Sequence, residues 1–132
     1  PRQKLKDHGW QLSYPQNISN DPWKYQEYIQ QSKAEFSIAK HGYVEARTGW
    51  FSERSAGYLA SGRPVVLQDT GFSDWLEADF GLIPFNDAGE ALAGIEEINN
   101  NYTKHCRNAR EIAKAYFSSD RILTQLVEKS IE

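Results

Sequence analysis

The sequence predicts an α/β fold in which a mainly parallel sheet is flanked by helices. Three observations predict it. Strand-like and helix-like segments alternate along the chain. Val65, Val66 and Leu67 follow one another without a polar residue, the mark of a strand buried on both faces. The helix before that strand carries start and stop signals. Ser52 can cap its first turn, Gly62 suits the left-handed position after its last turn, and Pro64 forbids continuation. At 132 residues the chain is expected to be one domain with room for a real core.

The elements follow in order. Residues 1–14 are polar apart from Trp10 and Leu12, and a strand is expected over Trp10 to Tyr14. Pro15 to Asn20 is a loop. Asp21 caps a helix that has Pro22 in its first position and ends near Ser32. Ala34 to Ala39 reads as a strand with Phe36 and Ile38 at alternate positions. Lys40 to Gly49 is neither clearly helical nor extended. The central helix spans Ser52 to Ser61, with Ala56, Leu59 and Ala60 on one face. The central strand spans Pro64 to Gln68, and Asp69 to Phe72 is a glycine turn at its carboxyl end. Ser73 to Phe80 predicts a short helical turn and Gly81 to Phe85 a last strand. Asp87, with Glu90 three residues on, opens a helix with Leu92, Ile95 and Ile98 on one side. Tyr102, Cys106, Ala109, Ala113 and Tyr116 then recur at helical spacing, with Ile112 expected inward beside them. A last helix carries Ile122, Leu123, Leu126, Val127 and Ile131.

Composition excludes several classes. Lys plus Arg is 15 against 18 for Asp plus Glu, a net charge of −3, which argues against broad nucleic-acid or anionic-membrane binding. No apolar run approaches the ~20 residues that span a bilayer. Cys106 is the single cysteine, so an intrachain disulfide is ruled out, and a reducing, cytoplasmic setting fits. Without a signal peptide, the two glycosylation-type triplets at Asn17 and Asn101 read as chance.

Candidate chemistry gathers at the carboxyl ends of the strands, where α/β folds collect ligands. The helix beginning at Ser52 offers free N–H groups and a positive dipole end to an anion, with Glu53 and Arg54 in its first turn. Arg54 can lie bidentate against phosphate oxygens, or else pair with Glu53, Asp69 or Glu45. Lys40 and Arg47 flank the same cleft and, with Arg54, form the one basic cluster near the strand ends. Thr70 and Gly71 can donate backbone N–H groups, or simply make a tight turn. Trp50 and Phe51 can stack on a base or sugar, or anchor the helix. His8, His41 and His105 lack metal-ligand spacing and read as surface or partly buried residues, His41 being the best exception. Nucleophile elbow, P-loop, CxxC and G-x-G-x-x-G motifs are absent.

The segments WFSERSA, YLASGRPVV and QDTGF, in that order, resemble the C-terminal half of a bacterial GT-B glycosyltransferase. YIQQSKAEFSIAKHGYV and HCRNAREIAKAYF extend the resemblance from about Trp10 to about Val127. It implies a Rossmann-like domain, the half that binds a nucleoside-diphosphate sugar for transfer to an unknown acceptor. It also implies a missing N-terminal half as partner, no cofactor beyond the donor substrate, no metal ion, and an isolated chain that catalyses little. The implied donor-binding residues are Lys40, Arg47, Ser52, Glu53, Arg54, Thr70 and Gly71; no catalytic residue is assigned. The two glutamates that many retaining members carry fall, aligned on Ala60-Ser61-Gly62, on Gly49 and Gly57. The resemblance therefore does not carry the ribose contact or the retaining outcome to this chain. The shortage of strands and the lack of Met at position 1 suggest an excised half. A different class of reading is a non-catalytic α/β interaction module, and aromatic residues meant for a missing half could instead pair two copies.

Overall fold

The computed structural model describes residues 2–131 and divides after Gln31 into two compact units. The first holds helix α1 (Arg2–Asp7), a 3-10 turn (Pro15–Asn17) and helix α2 (Pro22–Gln31). Asp21 caps α2 as expected, its Oδ1 accepting from the N–H of Trp23 at 2.8 Å and of Lys24 at 3.3 Å. The strand expected over Trp10 to Tyr14 is absent. Residues 10–14 are irregular and Trp10, Leu12 and Tyr14 are exposed. Alternating side chains do not make a strand where no second strand pairs with it. Helix α1 has Leu5 as its one apolar residue and buries nothing, so it offers no periodicity to read.

The second unit contains β1 (Glu35–Ser37), α3 (His41–Glu45), α4 (Glu53–Ala60), β2 (Val65–Gln68), a 3-10 turn (Phe72–Asp74), β3 (Leu82–Phe85), α5 (Ala88–Asn100), α6 (Tyr102–Phe117) and α7 (Ser119–Ile131). The sheet is parallel, in the order β1-β2-β3. Glu35 lies opposite Val65, and Val65 opposite Leu82. β2 is thus the central strand, and Val65, Val66 and Leu67 are buried, as their apolar run requires.

Helices cover both faces. Val66 joins Phe85, Ala91 and Ile98 in one cluster, so α5 lies on the Val66 face. Strand alternation turns Val65 and Leu67 to the other face, toward α4, which α6 backs. The turn after α4 closes as expected: Gly62 has φ 67°, its N–H donates to the Leu59 carbonyl, and the Arg63 N–H donates to that of Tyr58. The buried face of α4 is Ser55, Tyr58 and Leu59, whereas Ala60 is exposed.

Three expected faces are corrected. On α5 the residues turned inward are Ala91, Gly94 and Ile98, while Leu92 is 58% exposed. The reason is close approach: a Cβ on Gly94 would meet Ile83 Cγ2 at 2.8 Å. On α6, His105 is buried with Ala109 and Ala113, and Ile112 is only half-buried. His105 Nδ1 accepts the Gly81 N–H at 2.9 Å, which satisfies both groups where β3 begins. On β1, Phe36 is 43% and Ile38 69% exposed, and the buried residue is Glu35. β1 is an edge strand, so its alternation reports which side faces α4 and not which side is apolar. The turn expected from Ser73 is a short 3-10 stretch one residue earlier, tied down by buried Phe72 and Leu76. No helix among the described residues is long and apolar enough to cross a membrane.

Candidate functional site

A cleft of about 250 Å³ opens at the carboxyl ends of β1 and β2. Five expected site residues line it: Lys40, Ser52, Glu53, Arg54 and Thr70. Ser37, Ile38, Ala39, Tyr43, Trp50 and Leu67 complete the wall. Arg47 and Gly71 do not line it.

The cleft is set by how α4 starts. Ser52 has extended backbone, and its Oγ accepts from the Arg54 N–H at 3.2 Å. That cap points the first turn of α4 across the end of β1. The Arg54 side chain then lies against β1, with Nε donating to Glu35 Oε1 at 2.6 Å and Nη2 donating to Ser37 Oγ at 2.7 Å. The carboxylate partner of Arg54 is therefore Glu35, not Glu53, Asp69 or Glu45. Glu35 is 5% exposed, while the Arg54 side chain is 44% exposed and reaches the cleft. Lys40 stands at the other side, its Nζ 5.8 Å from the centre of the Tyr43 ring. Among the described residues Lys40 has no carboxylate partner, which leaves it the uncompensated cation of the cleft.

The turn after β2 is built differently. Asp69 Oδ1 accepts the Gly71 N–H at 2.9 Å, and its Oδ2 accepts the Ser73 hydroxyl at 2.8 Å. Thr70 donates its hydroxyl to the Trp50 carbonyl at 2.6 Å, and its own carbonyl accepts the Gly49 N–H at 2.8 Å. Gly71 has φ 92°, and a Cβ there would meet the Arg47 carbonyl oxygen at 3.1 Å. The glycine is required by the close passage of residue 47, and its N–H is already used within the turn. Arg47 donates from Nη2 to both oxygens of Asp74 at 2.9 Å. The Asp74 hydrogen bond, with the charge of the same carboxylate, raises the Arg47 pKa further above its ordinary value. Arg47 also holds a left-handed backbone, φ 44°, unusual for a side chain with a Cβ.

The aromatic residues divide. Phe51 stacks on Phe117 at 5.2 Å and meets Phe72 and Trp75 edge-on, so it anchors the entry to α4. Trp50 stacks on Tyr43 at 5.3 Å and stays half exposed on the cleft wall. His41 is exposed and lies 3.3 Å from Glu45, outside the cleft. No group of His, Cys, Asp and Glu among the described residues is arranged to hold a metal ion.

No family model, curated protein or solved structure matches this chain. The site must therefore be read from its own chemistry. It offers one uncompensated ammonium, one guanidinium held from behind, a capped helix start and an indole face. Sequence reasoning missed Glu35, Ser37 and Tyr43. For Glu35 a signal was present: a charged residue within a strand segment, two positions before Ser37 and hence on the same face.

Proposed function

We propose that this chain is the donor-binding half of a bacterial, cytoplasmic GT-B-type glycosyltransferase, with the cleft holding the diphosphate of a nucleoside-diphosphate sugar. The observation that carries the reading is the convergence of Lys40, Arg54 and the start of α4 at the carboxyl ends of two parallel strands. Such a place favours a diphosphate for two reasons: backbone N–H groups and the helix dipole face it, and cationic donors flank it. Lys40 and Arg54 would bear on the charge that develops as the diphosphate leaves, and Trp50 offers a face to a ring. Transfer itself would need the second domain that the resemblance implies.

Calorimetry with nucleoside diphosphates and their sugars tests the reading. Enthalpic, salt-sensitive binding of a diphosphate, weakened about 5- to 30-fold in Lys40→Ala, is expected. Absence of binding by every nucleoside diphosphate at millimolar concentration would overturn it. The alternative reading, a non-catalytic interaction module, is favoured by one observation: Leu123, Leu126, Val127 and Ile131 on α7 are all exposed. A protein that binds no diphosphate yet self-associates through α7 would fit that reading.

A further inference from the structure

We propose that Glu35 is a built-in counter-charge that limits how tightly the cleft grips a diphosphate. The proposal rests on the donor-site reading above and adds to it a role for a residue outside the cleft wall.

Glu35 does not line the cleft; it lies behind Arg54 on the α4 side of β1. Its Oε1 takes the Arg54 Nε at 2.6 Å, and its Oε2 has no hydrogen-bond partner among the described residues. Among the described residues no second donor shares this carboxylate, so its charge bears chiefly on Arg54. Burial makes the effect stronger, because water cannot screen the pair from the β1 side. Ser37 holds the other end of the guanidinium at 2.7 Å. Arg54 therefore meets a ligand as a set of oriented donors whose positive charge is largely offset. The second basic residue expected at this site, Arg47, is neutralised as well, by Asp74 and, at 3.9 Å, Asp69. Glu53 adds another carboxylate at the rim. Lys40 alone remains to attract an anion over distance. A site so arranged recognises the shape of a diphosphate without holding it long, which suits a group that must depart after each transfer.

The test uses the full chain, inorganic pyrophosphate as probe and a chelator to exclude metal ions, with affinity measured by calorimetry at several salt concentrations. Glu35→Gln keeps an oxygen for Arg54 Nε and removes the charge. It should bind pyrophosphate about 3- to 10-fold more tightly than wild type, the worth of one unit charge several ångströms away at high effective dielectric, and with a steeper salt dependence. Equal or weaker binding by a folded Glu35→Gln, where wild type binds, overturns the counter-charge while leaving the donor site standing. Failure of wild type to bind either pyrophosphate or any nucleoside diphosphate overturns the donor site itself, and the counter-charge with it. Should Glu35→Gln not fold by circular dichroism, the double variant Glu35→Gln/Arg54→Gln decides, since it leaves no buried charge unpaired. A loss of less than about 5-fold with the wild-type salt dependence supports the proposal, because an offset charge contributes little to attraction. A larger loss with a flatter salt dependence overturns it.

Discussion

The loop that leaves β2 and the loop that leaves β1 stand at the same end of the sheet, but their polar side chains have different partners. After β2, Asp69 accepts from Gly71 and Ser73, Thr70 holds the Trp50 carbonyl, and Arg47 is clamped on Asp74. Those groups are consumed by the turn itself. After β1, Lys40 has no carboxylate partner and Arg54 is held from behind with part of its guanidinium facing the cleft. Two loops of similar polarity therefore differ in what their polar groups do: one spends them on its own turn, and the other leaves Lys40 without a carboxylate partner and Arg54 on the cleft wall. What separates them is whether the chain supplies an internal partner for each donor.

Several substitutions would break or sharpen that contrast. The largest effect is expected from Asp69→Ala, which strands the buried Gly71 N–H and removes the partner of the exposed Ser73 hydroxyl. It should cost about 3–5 kcal/mol in a denaturant melt, with the loss seen whether or not ligand is present. Gly71→Ala follows, at about 2–3 kcal/mol, because alanine resists φ 92° and its Cβ would press on the Arg47 carbonyl. Arg54→Ala should lower both stability and diphosphate affinity, by about 1–3 kcal/mol in stability, since it leaves Glu35 buried without its cation while the partial exposure of Arg54 tempers the loss. Lys40→Ala should weaken diphosphate binding by about 1–2 kcal/mol in calorimetry and leave the melting curve unchanged. The smallest effect belongs to Arg47→Ala: a slight drop in melting temperature and the wild-type affinity for diphosphate. If Arg47→Ala instead abolished binding, the division between the two loops would be wrong.

Legibility in the sequence followed the same contrast. The α4-to-β2 stretch was readable because each feature there has a local chemical cause. Ser52 caps, Gly62 turns left-handed, and Val65 to Leu67 has no polar residue to point outward. The parallel pairing of β1 with β2 followed from the helix α4 between them. Features decided by distant partners were not readable. Periodicity on α5 favoured Leu92 and Ile95, but the face that meets the sheet is chosen by Gly94, which lets Ile83 come close. His105 read as a surface or partly buried residue because its partner, the Gly81 N–H, lies 24 residues away. Of the cleft-lining residues, Lys40, Ser52, Glu53, Arg54 and Thr70 were named from helix and strand ends together with the resemblance, whereas Glu35 depended on knowing that β1 passes beneath α4.

The pairing of β1 has a kinetic consequence. Val65 pairs with Leu82, 17 residues along the chain, but with Glu35, 30 residues back and across α3 and α4. Closing the longer loop costs more entropy, and β1 returns less for it, being a three-residue edge strand in which Phe36 stays 43% exposed. The β2–β3 pair with α5 is then the part that assembles early, and β1 docks onto it late. Because Glu35 and Ser37 both belong to β1, the seat of Arg54 comes into being only at that final step. The cleft at the strand ends is in this sense the last-formed feature of the unit and the first to be lost on local unfolding, so amide exchange at Phe36 and Ser37 would report the integrity of the cleft before any global melt.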